Sequence, residues 1–149
     1  MPLSNPTSRA EATPSDLFRW TDGRAIVATG SPFDDVVHDG VAHRISQSNN
    51  VYVFPGLGLG AVAVGASGIN DRMLMTAAST VAQACTDRPV AEGILPALDE
   101  VSALSSQIAS AVARVAIEDG LAEEASEREI AQKISDYRWS PAYPEINAV

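Results

Sequence analysis

Residues 49–60 read Asn49-Asn50-Val51-Tyr52-Val53-Phe54-Pro55-Gly56-Leu57-Gly58-Leu59-Gly60, and no charged side chain occurs from Val51 to Ile69. This uncharged segment has 19 residues, close to the ~20 that a membrane-spanning helix needs. Its five glycines and Pro55 lower the hydrophobicity, so the composition argues against insertion. We interpret the segment as a buried helix whose glycines let a neighbouring backbone come close. Because each interior glycine costs about 1 kcal/mol relative to alanine, tertiary packing must stabilise this helix.

Three helices are predicted after this segment. The first starts at Asp71 and ends at Arg88-Pro89, with an apolar stripe at helical spacing. The stripe consists of Leu74, Ala78, Val81 and Cys85. After a connector at 91–96, a long amphipathic helix is stopped by Gly120. Its apolar positions are Val101, Leu104, Ile108, Val112 and Val115.

The last predicted helix begins at Ser126, which forms a capping-box pattern with Glu129. The apolar positions of this helix are Ile130, Ile134 and Tyr137. A tail from Trp139 to Pro144 follows it.

Before the uncharged segment the chain has a different pattern. Met1–Asn5 is read as the end of a strand that leads into a turn, and Thr13-Pro14-Ser15-Asp16 as the capped start of a two-turn helix. Ala25–Thr29 is a short apolar run suited to a buried strand. Ser31–Asn50 is read as a long loop with a hairpin at Asp39-Gly40. The fold class predicted is α/β, with two or so short parallel strands followed by a helical C-terminal segment. Two parallel strands do not form a stable sheet alone, so they need flanking strands.

Composition excludes several classes of partner. The chain has 149 residues, which suits about one domain, and 10 Lys plus Arg against 19 Asp plus Glu give a net charge of -9. Nucleic acid and anionic membranes are therefore not expected as partners, because phosphate neutralisation needs an excess of basic residues. The single cysteine can form no internal disulfide, and a reducing cytoplasm is expected. Charged residues make up 19%, below the ~25% typical of globular chains, so part of the surface is expected to be covered.

The glycine motif Gly56-Leu57-Gly58-Leu59-Gly60-Ala61 satisfies the G-x-G-x-x-A pattern of a dinucleotide fingerprint. A fingerprint also needs a second strand that ends in an acidic residue ~20 positions later. Only helices follow here, and Asp71 is too near and starts one of them. The glycines are therefore expected to serve helix packing.

Two further clusters favour structural interpretations. His38 and His43 lie among three acidic residues, Asp34, Asp35 and Asp39, in a region without helical pattern. A solvated acidic loop explains them better than a metal site, so no metal ligand is predicted. Cys85 lies on the apolar stripe of its helix and is expected to be a core residue.

Asparagines carry the most specific chemistry in the chain. Asn5 lies where a predicted strand meets a turn, and open α/β sheets bind ligands at the carboxyl ends of their strands. Its amide can donate and accept, which suits a substrate carboxylate, a hydroxyl or a nicotinamide amide; an Asx-turn cap is the alternative. Asn49 and Asn50 precede the glycine-rich helix, whose positive end favours an anion; simple N-capping is the alternative there.

Four ordered runs of residues resemble the carboxyl-terminal part of malic enzymes, specifically of their NAD(P)-binding domain. The runs are Leu3-Ser4-Asn5-Pro6-Thr7, Trp20-Thr21-Asp22-Gly23-Arg24-Ala25, Ala28-Thr29-Gly30-Ser31-Pro32-Phe33 and the Asn49–Gly60 run quoted above. The resemblance continues through the later helices and so covers essentially the whole chain. It implies the C-terminal portion of a Rossmann-like fold that forms a single partial domain. Residues 1–70 would contain the end of the sheet and the glycine-rich helix, and residues 71–149 the C-terminal helices.

The resemblance also implies a function. Malic enzymes oxidise malate with NAD or NADP and decarboxylate the product to pyruvate, using a divalent Mg or Mn ion. By motif match, Asn5 and Asn50 are expected to bind substrate, and Ser4, Asn5 and Asn49 to bind the cofactor. The resemblance further implies that helix begins at Asn49, and that the complete protein is a homo-oligomer. NAD is favoured over NADP.

The family's proton-transferring tyrosine and lysine, its acidic metal ligands and its glycine-rich fingerprint have no counterpart in these residues. No catalytic residue is therefore predicted in this chain, and we expect the chain alone to be inactive. Two alternatives stay open: a non-catalytic interaction or oligomerisation module, and part of a malolactic enzyme, which keeps its cofactor bound and yields lactate.

Overall fold

A computed structural model describes residues 1–139 and has a pair of parallel strands near its N-terminus. Strand β1 (Ala28–Thr29) pairs with β4 (Ser46–Gln47), with Ala28 opposite Ser46 and Thr29 opposite Gln47. The parallel pair and the helical C-terminal part confirm the predicted fold class. The identity of the strands differs from the prediction, because β4 was read as loop and Met1–Asn5 forms no strand. Met1–Asn5 is held instead by hydrogen bonds to the residues that follow β1: the Gly30 N–H donates to the Pro2 carbonyl at 2.9 Å, and the Ser31 hydroxyl donates to Asn5.

Helix α1 (Pro14–Thr21) begins where the sequence predicts. The Thr13 hydroxyl accepts a hydrogen bond from the Asp16 N–H, and Pro14 occupies the first helical position, where no N–H is needed. Asp22 follows the helix in a left-handed conformation and ends it.

The predicted hairpin is also present. Strands β2 (Val36–His38) and β3 (Val41–His43) pair antiparallel, and the turn between them contains Asp39 and Gly40, both with positive φ. The two histidine rings lie near the Phe18 ring, at centroid distances of 6.0 Å for His38 and 4.7 Å for His43. The region is therefore a hairpin, and Asp34, Asp35 and Asp39 are exposed to solvent as expected.

The uncharged segment forms a shorter helix than predicted. A 3-10 helix at Asn50–Tyr52 comes first, and α2 (Phe54–Ala63) follows. The chain leaves the helix before Gly65, which has a φ of 66°, and the Ser67 N–H then bonds the Leu121 carbonyl. The segment is therefore helical from 54 to 63 and not as far as 69.

Helix α3 (Asp71–Gln83) is rotated relative to the predicted stripe. Its buried residues are Met73, Ala77 and Val81, whereas Leu74 is 45% exposed. Val81 is buried as predicted, but Leu74 and Ala78 are exposed, because the stripe one position earlier is also apolar and is the one that packs. Cys85 lies beyond the helix end and is half-buried, so the expectation that it is a core residue was wrong.

The last two helices confirm their predictions. Helix α4 (Val101–Glu118) buries all but the first of the five predicted apolar positions. Helix α5 (Glu127–Tyr137) starts with the predicted capping box and buries Ile130 and Ile134, but Tyr137 is exposed. The predicted tail lies outside the described residues from position 140 onward. Within residues 1–139 no helix is both long and apolar enough to cross a membrane.

Two glycines of the G-x-G-x-x-A motif lie at the contact between α2 and α4. A Cβ atom on Gly56 would be 2.6 Å from the Ile108 Cβ, and one on Gly60 would be 2.5 Å from the Ala109 carbonyl oxygen. A Cβ atom on Gly58 would meet nothing within 4 Å. The motif therefore serves close helix packing, as the sequence predicts. Gly56 and Gly60 allow the close approach of α4, and Gly58 does not take part.

Polar bonds connect the strand region to the helices. The Ser46 hydroxyl accepts hydrogen bonds from the N–H groups of Ile94 and Leu95, at 2.9 and 3.2 Å. Tyr52 is buried, and its hydroxyl donates to the Pro96 carbonyl at 2.8 Å. These bonds hold the end of β4 and the following residues against the connector between α3 and α4.

Candidate functional site

A cleft of about 340 Å³ opens at the carboxyl ends of the two parallel strands. Its lining comprises Leu3, Asn5, Gly30, Ser48, Asn49 and Asn50. Gly30 directly follows β1 and Ser48 directly follows β4, so the strand pair brings these segments together. The cleft thus contains three of the four predicted binding residues, although they come from separate parts of the chain.

Close backbone packing positions the segment that carries Asn5. A Cβ atom on Gly30 would lie 2.2 Å from the Leu3 carbonyl oxygen, so only glycine permits this approach. The Ser48 N–H donates to the Thr29 carbonyl at 2.7 Å and extends the strand pairing to the edge of the cleft. The lining is therefore built on the backbone of both strand ends.

The three asparagine side chains of the cleft differ in their bonds. The Asn5 amide oxygen accepts a hydrogen bond from the Ser31 hydroxyl at 2.5 Å. The Asn49 amide oxygen accepts from the Val51 N–H at 3.0 Å, so this residue does cap the 3-10 helix. The Asn50 side chain forms no hydrogen bond with the residues that the structure describes, and it is exposed. Each of the three amides therefore has an NH2 group available to a ligand.

The predicted role of the helix end needs a correction. Asn49 and Asn50 border a 3-10 helix of three residues, and α2 begins only at Phe54. The positive end of α2 is therefore separated from the two amides by a turn, and polarity at this place comes from the side chains.

Ser4, the fourth predicted residue, has its hydroxyl bonded elsewhere. It donates to the Glu11 carboxylate at 2.6 Å, and the Ser4 N–H donates to the same carboxylate at 3.3 Å. These bonds lower the pKa of Glu11 below its usual value, the Ser4 hydroxyl making the largest contribution. Ser4 is not part of the cleft lining, although its neighbour Asn5 is.

The cleft lining carries no charged side chain. Amide and hydroxyl groups of this kind can orient a ligand and satisfy its polar atoms, but they cannot neutralise an anion. Within residues 1–139 no three His, Cys, Asp or Glu side chains lie close enough together to hold a metal ion. A larger cleft of about 500 Å³ between α2, α4 and α5 contains none of the predicted binding residues.

Comparison with known proteins identifies the family. A family model described as the malic enzyme NAD-binding domain matches residues 1–117. The chain belongs to this malic enzyme family. The resemblance drawn from the four runs is thereby confirmed, and the matched residues include the parallel strands.

Several similar proteins carry the same name, NAD-dependent malic enzyme. The protein from Aliivibrio fischeri is 49% identical over 144 residues, and that from Vibrio parahaemolyticus is 49% identical over 146. A Shewanella protein is 48% identical over 144 residues. Each comparison covers 95% of this chain and 25% of the relative. The chain thus spans about a quarter of the length of the curated relatives that it matches.

The sequence analysis singled out the three asparagines that line the cleft but missed the rest of its lining. Leu3, Gly30 and Ser48 reach the cleft through backbone packing, which leaves no pattern in the sequence. Ser31 was missed as well, because its bond to Asn5 joins residues 26 positions apart. Leu3, Gly30 and Ser31 lie within the runs that resemble malic enzymes, whereas Ser48 directly precedes the last run.

Proposed function

We propose that this chain forms part of an NAD-dependent malic enzyme, in which Asn5 and Asn50 bind malate at the cleft beside β1 and β4. One observation carries the proposal: three amides from two distant parts of the chain line one uncharged cleft at the carboxyl edge of the parallel strands. This edge is where open α/β sheets bind their ligands. The names of the relatives support malate as substrate and NAD as cofactor.

The proposed reaction is oxidation of malate and decarboxylation of the product to pyruvate. NAD, when bound, accepts the hydride that malate loses. The NH2 groups of Asn5 and Asn50 donate hydrogen bonds to oxygen atoms of malate and so hold it in one orientation. Positioning of this kind can lower a barrier by several kcal/mol once the reacting groups are present.

The donor set fits only one end of the cofactor. The carboxamide of a nicotinamide ring pairs well with an amide such as that of Asn49 or Asn5. A pyrophosphate would need a glycine-rich turn at a helix start, but Gly56 and Gly60 lie inside α2 and pack against α4. We therefore assign to this chain the nicotinamide end and the substrate, and to other parts of the enzyme the remainder of NAD.

The residues described here do not fit the divalent metal that the family resemblance implies. No cluster of suitable ligands occurs among residues 1–139, and the cleft lining is uncharged. No step through a metal is derived for this chain. The uncharged lining also offers no cation to face the malate carboxylates and no group to transfer a proton. We expect residues outside this chain to supply these groups. The 149 residues alone should therefore not turn over malate.

A hybrid enzyme tests this function. In the Aliivibrio fischeri relative, the matching quarter is replaced by residues 1–149 of this chain, and formation of NADH from malate and NAD is measured. We expect turnover by the hybrid and none by the 149-residue chain alone. A folded hybrid without turnover would contradict the proposal.

Variants of the hybrid test the assigned residues. Asn5→Ala and Asn50→Ala should each lower kcat/KM for malate at least tenfold, since each removes one positioned hydrogen bond to a charged ligand, about 1.5–3 kcal/mol. Gln83→Ala is the matched control, because it removes an exposed amide at the end of α3, away from the cleft. Equal activity of all three variants would remove the asparagines from the proposed site.

Three further expectations belong to the complete protein. NAD should be preferred over NADP, pyruvate rather than lactate should be the product, and light scattering should give the mass of a homo-oligomer. The single cysteine supports a reducing, cytoplasmic location.

A further inference from the structure

Ser31 directly follows Gly30 of the cleft lining, and its hydroxyl is hydrogen-bonded to Asn5. Its side chain is buried, with 3% of the residue exposed. The hydroxyl lies 2.5 Å from the Asn5 amide oxygen and 3.4 Å from the Ser4 carbonyl oxygen. Ser31 is thus a buried polar group whose shorter bond goes to a proposed substrate-binding residue.

The backbone around Ser31 is held firmly in place. The Thr29 hydroxyl, itself buried, donates to the Ser31 carbonyl at 2.8 Å. Gly30, between them, packs against Leu3 and donates to the Pro2 carbonyl. The positions of Ser31 and of the segment that leads to Asn5 are therefore fixed relative to one another.

The two atoms of the Ser31–Asn5 bond determine which of them donates. The Ser31 hydroxyl lies next to the Asn5 amide oxygen, and an amide oxygen carries no hydrogen to donate. The 3.4 Å separation from the Ser4 carbonyl is longer than an ordinary O–H···O bond, so that oxygen competes poorly for the hydroxyl proton. The Ser31 hydroxyl therefore donates, and the Asn5 amide oxygen accepts.

We propose that Ser31 is a positioning residue that fixes the orientation of the Asn5 amide, so that its NH2 group and not its carbonyl faces the cleft. The sequence left open whether Asn5 donates or accepts. With its oxygen bonded to Ser31, Asn5 acts as a donor and selects a ligand atom that accepts, such as a carboxylate, hydroxyl or carbonyl oxygen. This inference rests on the proposed function for the identity of the ligand, but not for the orientation of the amide.

A matched pair of substitutions isolates the hydroxyl. Ser31→Thr keeps it, and Ser31→Val has the same shape as the threonine variant without it. Any effect of the added methyl group on this buried position is common to both variants. The difference between the two variants therefore reports the hydrogen bond to Asn5.

The first measurement uses the whole 149-residue chain labelled with ¹³C and ¹⁵N. The side-chain amide of Asn5 is assigned by its absence in Asn5→Asp, and its Cγ shift reports whether the carbonyl accepts a hydrogen bond. We expect an upfield Cγ shift in Ser31→Val relative to Ser31→Thr. An unchanged Cγ shift, or a change confined to the NH2 signals, would overturn the proposal, because Ser31 would then not donate to the oxygen.

The second measurement uses the hybrid enzyme. We expect kcat/KM for malate to be about fivefold lower in Ser31→Val than in Ser31→Thr, the factor that corresponds to loss of one net hydrogen bond of about 1 kcal/mol. In an Asn5→Ala background the same pair should differ little, since the group that Ser31 orients is gone. A difference that persists in that background would mean a general structural role and would overturn the proposal.

The two measurements separate this inference from the proposed function. If the unmodified hybrid does not oxidise malate, the proposed function fails, and the Cγ shift alone decides whether Ser31 orients Asn5. If the hybrid is active and the matched pair differs neither in activity nor in Cγ shift, the function stands and the role of Ser31 is wrong.

Discussion

Among residues 1–139, seventeen buried side chains form one apolar core around α2, α3, α4 and α5, whereas the cluster beside β1 and β4 has three, Phe18, Val27 and Ile45. The proposed ligand-binding groups lie at the ends of β1 and β4, and Asn50 begins the 3-10 helix whose Tyr52 packs into the large core. Since apolar burial is the main stabilising contribution to folding, the helical part supplies most of the stability. The cleft depends on backbone and side-chain hydrogen bonds at strand ends. Functional segments are often drawn from such regions of low local stability.

The comparison predicts that substitutions in the two parts have different consequences. In the helical part they should change the free energy of unfolding and leave the cleft chemistry intact. At the cleft they should change ligand binding with little effect on unfolding, because Asn5, Asn49 and Asn50 are exposed.

The largest effect is expected for Ile108→Ala. Ile108 is fully buried where α4 meets α2, and the alanine leaves a cavity there. We expect a loss of about 2–5 kcal/mol in the free energy of unfolding, measured by urea denaturation. A loss below about 1 kcal/mol would contradict the account of this core.

Gly60→Ala should have the next largest effect. The new Cβ atom would meet the Ala109 backbone at 2.5 Å, and backbone cannot move aside as a flexible side chain can. We expect destabilisation of about 1–3 kcal/mol in the same assay. Gly58→Ala is the control: its Cβ atom has open space, so higher helix propensity should stabilise the chain by up to about 1 kcal/mol. Equal effects of the two alanines would contradict the packing role of Gly60.

Ser126→Ala should cost about 1 kcal/mol. The Ser126 hydroxyl accepts from the Glu129 N–H at the start of α5, and the Glu129 carboxylate accepts from the Ser126 N–H. Glu129→Gln keeps an acceptor for the Ser126 N–H and should cost less. Thermal unfolding compares the two variants, and a larger loss for Glu129→Gln would contradict the capping role of the serine.

The smallest effect is a dependence on pH. Arg88, together with the Ala97 N–H, lowers the pKa of Glu100 from 4.5 to about 2. A carboxyl whose pKa is lower in the folded state adds stability at pH values above its unfolded pKa. That stability is lost as pH falls from about 4.5 to about 2. Because the pair is partly exposed, the effect should be small and weaker at high salt.

Glu100→Gln provides the control for this titration. The variant should unfold with a flatter pH dependence between these two values than the unsubstituted chain. The same slope in both proteins would mean that other carboxyl groups cause it.

Local signals in the sequence predicted most features of helices α1, α4 and α5. The caps at Thr13 and Ser126 and the apolar spacing of α4 act over a few residues, and each appeared where predicted. The register of α3 could not be predicted, because the stripes through Met73 and Leu74 are both apolar, and only contact with α4 selects between them.

The strands were harder to predict for a physical reason. Ser46–Gln47 has no apolar alternation, and it becomes a strand only through pairing with β1. The asparagines of the cleft were predictable from their position and from the family resemblance. The Ser31–Asn5 bond depends on packing between distant segments, which short-range patterns do not encode.

The central claim is that the cleft binds the ligand whereas the helical core supplies the stability. The rate of NADH formation by the hybrid enzyme tests this claim most directly. Asn50→Ala and Gly60→Ala are compared at saturating NAD, at a temperature well below the unfolding of both. We predict at least a tenfold lower kcat/KM for malate in Asn50→Ala, and near-normal kcat/KM in Gly60→Ala despite its lower unfolding temperature. Normal activity in Asn50→Ala together with a large loss in Gly60→Ala would contradict the account.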